Sequence, residues 1–193
     1  IHHRLVGSEM CIRDSVNSYT DRCEKCFPQL LEKIDTLANK GLSRLRFTSA
    51  HPQDFTDEVI DTLAGMKTRC PYVHLPVQHG SNEMLRAMNR NYRVEAYEAI
   101  VSRLRKKLPD TTLATDIIVG FPGETESQFA ELCDFARRMK FDFSYTAIFS
   151  PRRNTPAARM KNQFLSSKEK KRRFHIFDEI IKSCLLYTSP SPR

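Results

Sequence analysis

No apolar run in this chain reaches the ~20 residues needed to cross a bilayer, which excludes a membrane-spanning helix and makes a soluble, cytoplasmic chain the expectation. Six cysteines are present, yet nothing in their placement demands an oxidising compartment. Acid is outnumbered by base, 23 Asp and Glu against 31 Lys and Arg, for a net charge of +8. That balance suits an RNA partner and equally serves solubility, because net charge carries no information about fold. The chain does not open on methionine, and Ile1 to Ser15 shows no strand alternation, so an internal fragment of a longer protein is expected.

What is present fits one globular piece: 193 residues with 40% hydrophobic content are enough to bury a substantial core. Its ends differ from the rest. Val6 to Ser15 and Cys184 to Arg193 resemble translated sequencing-adapter read-through, with a flexible tail as the biological alternative. Residues 1–15 and 183–193 are therefore expected to be non-native ends around a folded part at 16–182. Setting those ends aside removes three basic and two acidic residues, leaving 28 and 21 and a net of +7.

Strands and helices alternate along the folded part. Leu30, Leu31, Ile34 and Leu37 share one face of a helix predicted over Pro28–Asn39, with Gly41 beyond its end. Further helices are predicted at Asp54–Met66, Ser81–Met88, Arg93–Leu108 and Glu126–Met139. Strands are predicted at Leu45–Ser49, Tyr72–Pro76, Thr112–Val119 and Asp142–Phe149. A last helix opens at Ser166 with a Ser-x-x-Glu box and turns Phe174, Phe177, Ile180 and Ile181 inward. Such alternation implies a parallel α/β sheet whose strand ends collect the chemistry along one edge.

The most informative string at that edge is Thr115-Asp116-Ile117-Ile118-Val119-Gly120-Phe121-Pro122-Gly123-Glu124-Thr125. A buried-strand run breaks into a turn where Gly120 and Gly123 permit close approach to a ligand and Pro122 stiffens the path between them. Thr125 and Gln128 form a capping box for the next helix. Gln78, Gly80 and Ser81 also follow a strand. There the Gln and Ser side chains suit sugar hydroxyls, while Ser81 serves equally well as an ordinary helix N-cap. Asp116 reads as a ligand or as a hydrogen-bonded structural carboxylate, and Phe149 as an adenine platform or a core aromatic. A strand histidine such as His74 is more often a hydrogen-bonded core residue, whereas His51 lies on a loop, where function is commoner. The cluster Lys168-Glu169-Lys170-Lys171-Arg172-Arg173 reads as a solvated helix start ahead of a specific RNA site.

Taken with His74-Leu75-Pro76-Val77-Gln78-His79-Gly80-Ser81, Arg46-Phe47-Thr48-Ser49-Ala50-His51-Pro52 and Tyr145-Thr146-Ala147-Ile148-Phe149-Ser150-Pro151-Arg152, the glycine string resembles the radical S-adenosylmethionine methylthiotransferases. Val16-Asn17-Ser18-Tyr19 and the Arg46 to Pro52 string are similar to the MiaB-type tRNA branch, which modifies isopentenylated adenosine. The resemblance covers roughly Val16 to Lys182. It departs at His79, where the family usually has serine, and at Arg153-Asn154, where it usually has Pro-Gly.

The resemblance implies a partial (βα) barrel of the radical SAM type, lacking the first strand and cluster loop, with 16–182 as a partial radical SAM core domain. It implies S-adenosylmethionine and [4Fe-4S] clusters as cofactors and tRNA and an electron donor as partners. The expected state is a monomer with no membrane association. Cofactor contacts are expected at Gln78, Gly80, Ser81, Thr115, Asp116, Gly120, Gly123, Glu124 and Phe149, and substrate contacts at Arg46, His51, His74 and Arg152. Sulfur and methyl transfer to the adenine ring is the implied reaction. The alternatives are the threonylcarbamoyladenosine or ribosomal-protein branches, or a cluster-free RNA- or nucleotide-binding α/β module.

The family's cluster motif, Cys-x-x-x-Cys-x-x-Cys, is absent from this sequence. Cys23-x-x-Cys26 offers only two thiolates, and it follows Val16-Asn17-Ser18-Tyr19, whereas the family motif precedes that string. The pair reads as ordinary thiols in a variable loop, and Cys70 and Cys133 as small packing residues, so no metal ligand is assigned. Anaerobic reconstitution of the 193-residue chain alone with iron and sulfide is expected to give no iron-dependent absorbance; such absorbance would overturn this reading of the cysteines.

Overall fold

In the computed structural model of the chain, the described residues are 16–20 and 26–188. The expected non-native end at 1–15, Cys23, and residues 189–193 of the other end lie outside them. The helices are α1 (Phe27–Asp35), α2 (Asp57–Gly65), α3 (Asn82–Ala87), α4 (Val94–Lys107), α5 (Glu126–Met139), α6 (Pro156–Arg159) and α7 (Ser167–Thr188). Three strands, β1 (Tyr72–His74), β2 (Thr112–Val119) and β3 (Phe143–Ile148), form one sheet in the order β1-β2-β3. β2 and β3 run parallel, with Ala114 opposite Phe143 and Val119 opposite Ile148.

Two compact units divide the chain. One comprises Ile1–Pro76 with Glu98–Leu113, the other Val77–Tyr97 with Ala114–Arg193. In the first, Phe27, Leu31, Phe55, Ile60, Leu63 and Leu104 are buried together with Val73 and Leu75. Thr56 caps α2 through its hydroxyl, which accepts the Val59 N–H at 3.4 Å, so the helix begins after Thr56 and not at Asp54. Asp35, just past the apolar face of α1, accepts hydrogen bonds from the Thr68 N–H (2.8 Å), the Thr68 hydroxyl (2.7 Å) and the Lys67 N–H (3.1 Å). After Asp35 the α-helix tightens to a 3-10 turn, Thr36–Lys40, that closes on the left-handed Gly41.

The expected strand at Leu45–Ser49 does not form. Leu45 makes a single parallel bridge to Arg69, its N–H donating to Thr68 and its carbonyl accepting from Cys70. The ladder stops there because the groups that would continue it, the Cys70 carbonyl and the Tyr72 N–H, bond to each other at 2.7 Å, and Ser49 turns the backbone to a left-handed φ of 61°. Arg46 instead lays its guanidinium over the Tyr72 ring, 3.7 Å from the centroid.

The second unit is built on β2, α5 and β3. β2 and α5 have the expected limits, since alternation along the strand and the Thr125–Gln128 capping box define them locally. The Thr125 N–H donates to Gln128 Oε1 at 2.9 Å, and the Gln128 N–H to Thr125 Oγ1 at 3.2 Å. The apolar face of α5 carries Phe129, Leu132, Phe135 and Ala136 inward, and Phe135 meets Tyr97 and Phe141 in a buried aromatic triad. Cys133 on this helix is buried, and loss of solvent pushes its thiol up to about 11, as a packing residue requires. α7 starts one residue after Ser166, whose hydroxyl accepts the Glu169 N–H, and continues beyond Lys182 to Thr188.

Gly80 lies against α5. A Cβ there would stand 2.7 Å from Phe135 Cβ and 2.9 Å from the Leu132 backbone. Gly80→Ala is expected to destabilise the protein by about 1–3 kcal/mol through overpacking, read as a lower urea midpoint with unchanged slope.

Candidate cofactor edge

The loop after Pro76 and the turn after β2 meet within the second unit. Gln78 extends the sheet by one residue: its N–H donates to the Asp116 carbonyl and its carbonyl accepts from the Ile118 N–H, each at 2.9 Å. It does so at a left-handed φ of 72°, a conformation costing a non-glycine residue of order 1–3 kcal/mol and concentrated at ligand sites. The Thr115 hydroxyl accepts the Val77 N–H at 3.1 Å, and the Tyr92 hydroxyl donates to the Val77 carbonyl at 3.0 Å. Ser81 stands at the N-cap position of α3 but makes no capping bond. Its Oγ is buried and has no hydrogen-bond partner. A buried orphan hydroxyl is costly in a finished protein interior and is what a polar ligand at this edge would satisfy.

The glycine turn is closed from the other side by protein. Gly120 has a φ of 71° and Gly123 of 79°. The space that a Cβ on Gly120 would need is taken by the Lys170 side chain, 2.7 Å away. The Gly123 N–H donates to the Gln163 carbonyl at 2.9 Å. At these two positions the close approach that demands glycine is made by protein groups from the loop and helix after β3.

Glu124 is completely enclosed. Its Oε2 accepts the N–H groups of Gly120 (2.8 Å) and Phe121 (3.3 Å), and its Oε1 accepts Arg173 Nη1 at 2.7 Å. His79 Nε2 lies 3.5 Å from Oε2, a contact without hydrogen-bond geometry, and has no hydrogen-bond partner among the described residues. Burial alone would raise the Glu124 carboxyl, but His79 and Arg173 beside it outweigh burial and hold the group below the ordinary glutamate value. Arg173 is itself only 4% exposed. It donates also to the Glu124 carbonyl at 2.9 Å and to Glu169 Oε1 at 2.7 Å. Hydrogen bonds from Arg172 and Arg173 bring Glu169 down to about 2.

Phe149 belongs to an aromatic cluster, its ring centroid 5.1 Å from that of Phe121 and 5.9 Å from that of Phe164, with Lys170 Nζ 5.4 Å from its centroid. Arg152 is exposed on the loop after β3. Gln78, Gly80, Ser81, Thr115, Asp116, Gly120, Gly123, Glu124, Phe149 and Arg152 thus all lie in the second unit, whereas Arg46, His51 and His74 lie in the first. His74 is buried and its Nδ1 accepts the Ser49 N–H at 3.0 Å, the role expected of a core histidine. His51 is clamped by Asn17 through both its N–H (2.7 Å) and its carbonyl (2.9 Å).

Arg173 escaped the sequence reading, which took its charge run for a solvated helix start. Lys168, Lys171 and Arg172 are exposed as that reading expects, but Arg173 turns inward. The visible signal was Glu169, four residues earlier on the same face; the deciding partner, Glu124, is 49 residues away.

Coproporphyrinogen III oxidase (HemN) from Escherichia coli, a radical SAM enzyme, superposes with a TM-score of 0.68 at 17% identity, covering 82% of this chain and 37% of that one. The radical S-adenosylmethionine methyltransferase TsrM from Kitasatospora setae, with cobalamin and a [4Fe-4S] cluster bound, superposes at 0.52 and 22% identity, covering 63% and 24%. Residues 25–136 match the radical SAM superfamily, and the chain belongs to it. Among curated relatives, the tRNA-2-methylthio-N(6)-dimethylallyladenosine synthase of Clostridium botulinum (strain Okra / Type B1) is 42% identical over 169 residues, 86% of this chain and 37% of the relative. The enzyme of that name from Caldicellulosiruptor saccharolyticus is 44% identical over 151 residues, 77% of this chain and 32% of the relative. The chain spans about a third of the length of these relatives.

Because the folded value of the Glu124 carboxyl lies below its unfolded one, its charge contributes stability above the ordinary glutamate range, and that contribution is lost as pH falls through the lowered folded value. Glu124→Gln is expected to lower stability by about 3–5 kcal/mol at neutral pH, since it leaves Arg173 buried without its counter-charge. In urea titrations the gap between wild type and variant should narrow as pH drops below ~4.5; a gap independent of pH would show that the carboxylate is not charged in the folded protein.

Proposed function

We propose that this chain is the cofactor-edge segment of a tRNA methylthiotransferase that adds a methylthio group to isopentenylated adenosine beside the anticodon. The observation that carries the reading is 42% identity over 169 residues with synthases of that specificity, across the same loops that form the edge described above. S-adenosylmethionine and [4Fe-4S] clusters are the cofactors of the reading, tRNA its substrate, and an electron donor its redox partner. The protein would act in the cytoplasm as a monomer.

The residues present fit the two cofactors differently. Ser81 Oγ, buried and without a partner, and Gln78, held left-handed at the sheet edge, fit a polar ligand such as a ribose or an amino-acid group. The cysteines do not fit a cluster. Among the described residues no three His, Cys, Asp or Glu side chains are grouped to hold a metal ion. No step is therefore assigned here to a cluster ligand.

When bound, S-adenosylmethionine would be held by Gln78 and Ser81 and, with an electron donor, would supply radical chemistry toward the adenine ring. This chain's residues supply position. β2 holds Thr115 and Asp116 at mid-strand, where the Thr115 hydroxyl and the Asp116 carbonyl accept the Val77 and Gln78 N–H groups. The cluster of Phe121, Phe149 and Phe164 gives the turn an apolar wall suited to excluding water from a reactive intermediate. Arg152, exposed after β3, and the exposed Lys168 and Lys171 are available to phosphates of an RNA partner.

Cells deleted for the complete gene are expected to lose the methylthio group from isopentenylated adenosine in bulk tRNA, measured by mass spectrometry of digested nucleosides. Retention of that nucleoside, with loss from threonylcarbamoyladenosine, would move the assignment to the sister branch.

A further inference from the structure

We propose that Arg173, Glu124 and His79 form a buried positioning chain through which α7 sets the shape of the cofactor edge, with His79 tying the Gln78–Ser81 loop to the Gly120–Glu124 turn. The inference rests on the reading of that edge as binding S-adenosylmethionine.

Hydrogen bonds make every step from Ser81 to α7 except one, the 3.5 Å approach of the His79 ring to Glu124, where two buried polar groups face each other. His79 is fully buried, and its Nδ1 accepts the Ser81 N–H at 3.0 Å. That nitrogen therefore carries no proton, which places the ring's N–H on Nε2, 3.5 Å from Glu124 Oε2. The same oxygen holds the Gly120 and Phe121 N–H groups, so one atom meets the backbone of the turn and the imidazole of the loop. The second oxygen takes Arg173, which also holds the carbonyl of Glu124 at 2.9 Å and that of Thr125 at 3.3 Å. Glu169 and Glu126 hold Arg173 in turn, at 2.7 and 3.1 Å. Lys170, on the same helix, packs into the space beside Gly120 and donates to the Phe149 carbonyl at 3.3 Å.

Two features make this a positioning device and not a plain structural pair. A buried ion pair adds little net stability over an apolar replacement, but it tolerates few geometries. The loop it holds contains Gln78 at a left-handed φ and Ser81 with an orphan hydroxyl, the two groups whose placement a ligand would read. His79 is long enough to reach from the Ser81 N–H of the loop to within 3.5 Å of the carboxylate.

The test uses the complete protein with its clusters loaded. Arg173→Lys keeps the charge and loses the fork, and His79→Ser cuts the strap while leaving Arg173 on Glu124. Each is expected to raise the equilibrium-dialysis Kd for S-adenosylmethionine, Arg173→Lys by roughly tenfold, with kcat at saturating cofactor within about threefold of wild type. The double variant should fall short of the product of the two, because both act through one carboxylate. Arg69→Lys, which disturbs the Arg69–Asp110 pair of the first unit, should lower the denaturation midpoint without moving Kd. Unchanged Kd in both variants, or an equal rise in Arg69→Lys, overturns the proposal. Should Arg173→Lys fail to fold, His79→Ser alone decides it. Independently of any cofactor, ring-nitrogen shifts of 15N-histidine-labelled protein should show His79 protonated on Nε2, and an Nδ1–H form would break the chain. If wild type itself does not bind S-adenosylmethionine, the functional reading falls, and this proposal with it.

Discussion

A carboxylate removed from water must find charge and hydrogen-bond donors or give up its own charge, and Glu124 meets that constraint in full. Two backbone N–H groups, a guanidinium and an imidazole surround it. The local consequences follow from that demand. Gly120 turns left-handed in a loop that brings its N–H to the carboxylate four residues on, and Arg173 must face inward although Lys171 and Arg172 before it face water. Because Arg173 in turn draws in Glu169 and Glu126, the start of α7 is fixed to the start of α5 by charge as well as by apolar packing.

The glycine turn therefore has two sides with different duties. The side covered by Lys170 and Gln163 explains why Gly120 and Gly123 carry no side chains. The strand-end side, with Gln78, Ser81, Thr115 and Asp116, retains the orphan hydroxyl and the strained backbone that mark an unfinished polar environment. Within the proposed enzyme, this separates anchoring from recognition. Glu124 belongs to the anchoring set, where its two oxygens are already committed, while recognition of the proposed cofactor would fall to Gln78 and Ser81.

Local signals read well where a few neighbouring residues decide the outcome. The limits of β2 and α5 follow from alternation, the Gly120 turn and the Thr125–Gln128 box, all within about one turn of chain. Leu45–Ser49 fails for the opposite reason: its alternation is sound, but a strand exists only with a partner, and beyond Leu45 the partner run bonds to itself, Tyr72 N–H to the Cys70 carbonyl. His74 behaves as the core histidine its strand position suggests. Ser81 divides the two readings that sequence left open, since it occupies the cap position but makes no capping bond.

The sequence by itself determined the superfamily, the alternating α/β order, and the strings from which the edge is made, because each depends on spacing along the chain. Only the tertiary structure decided what those residues do. It turned Arg173 out of a basic run and into the core, made Glu124 the hub of the turn, and put His79 between two loops separated by some forty residues of sequence. The physical reason is that burial and charge pairing act through space. A carboxylate's partner is whichever cation the fold delivers to it, and nothing in the residues beside Glu124 says that the cation comes from a helix 49 positions later.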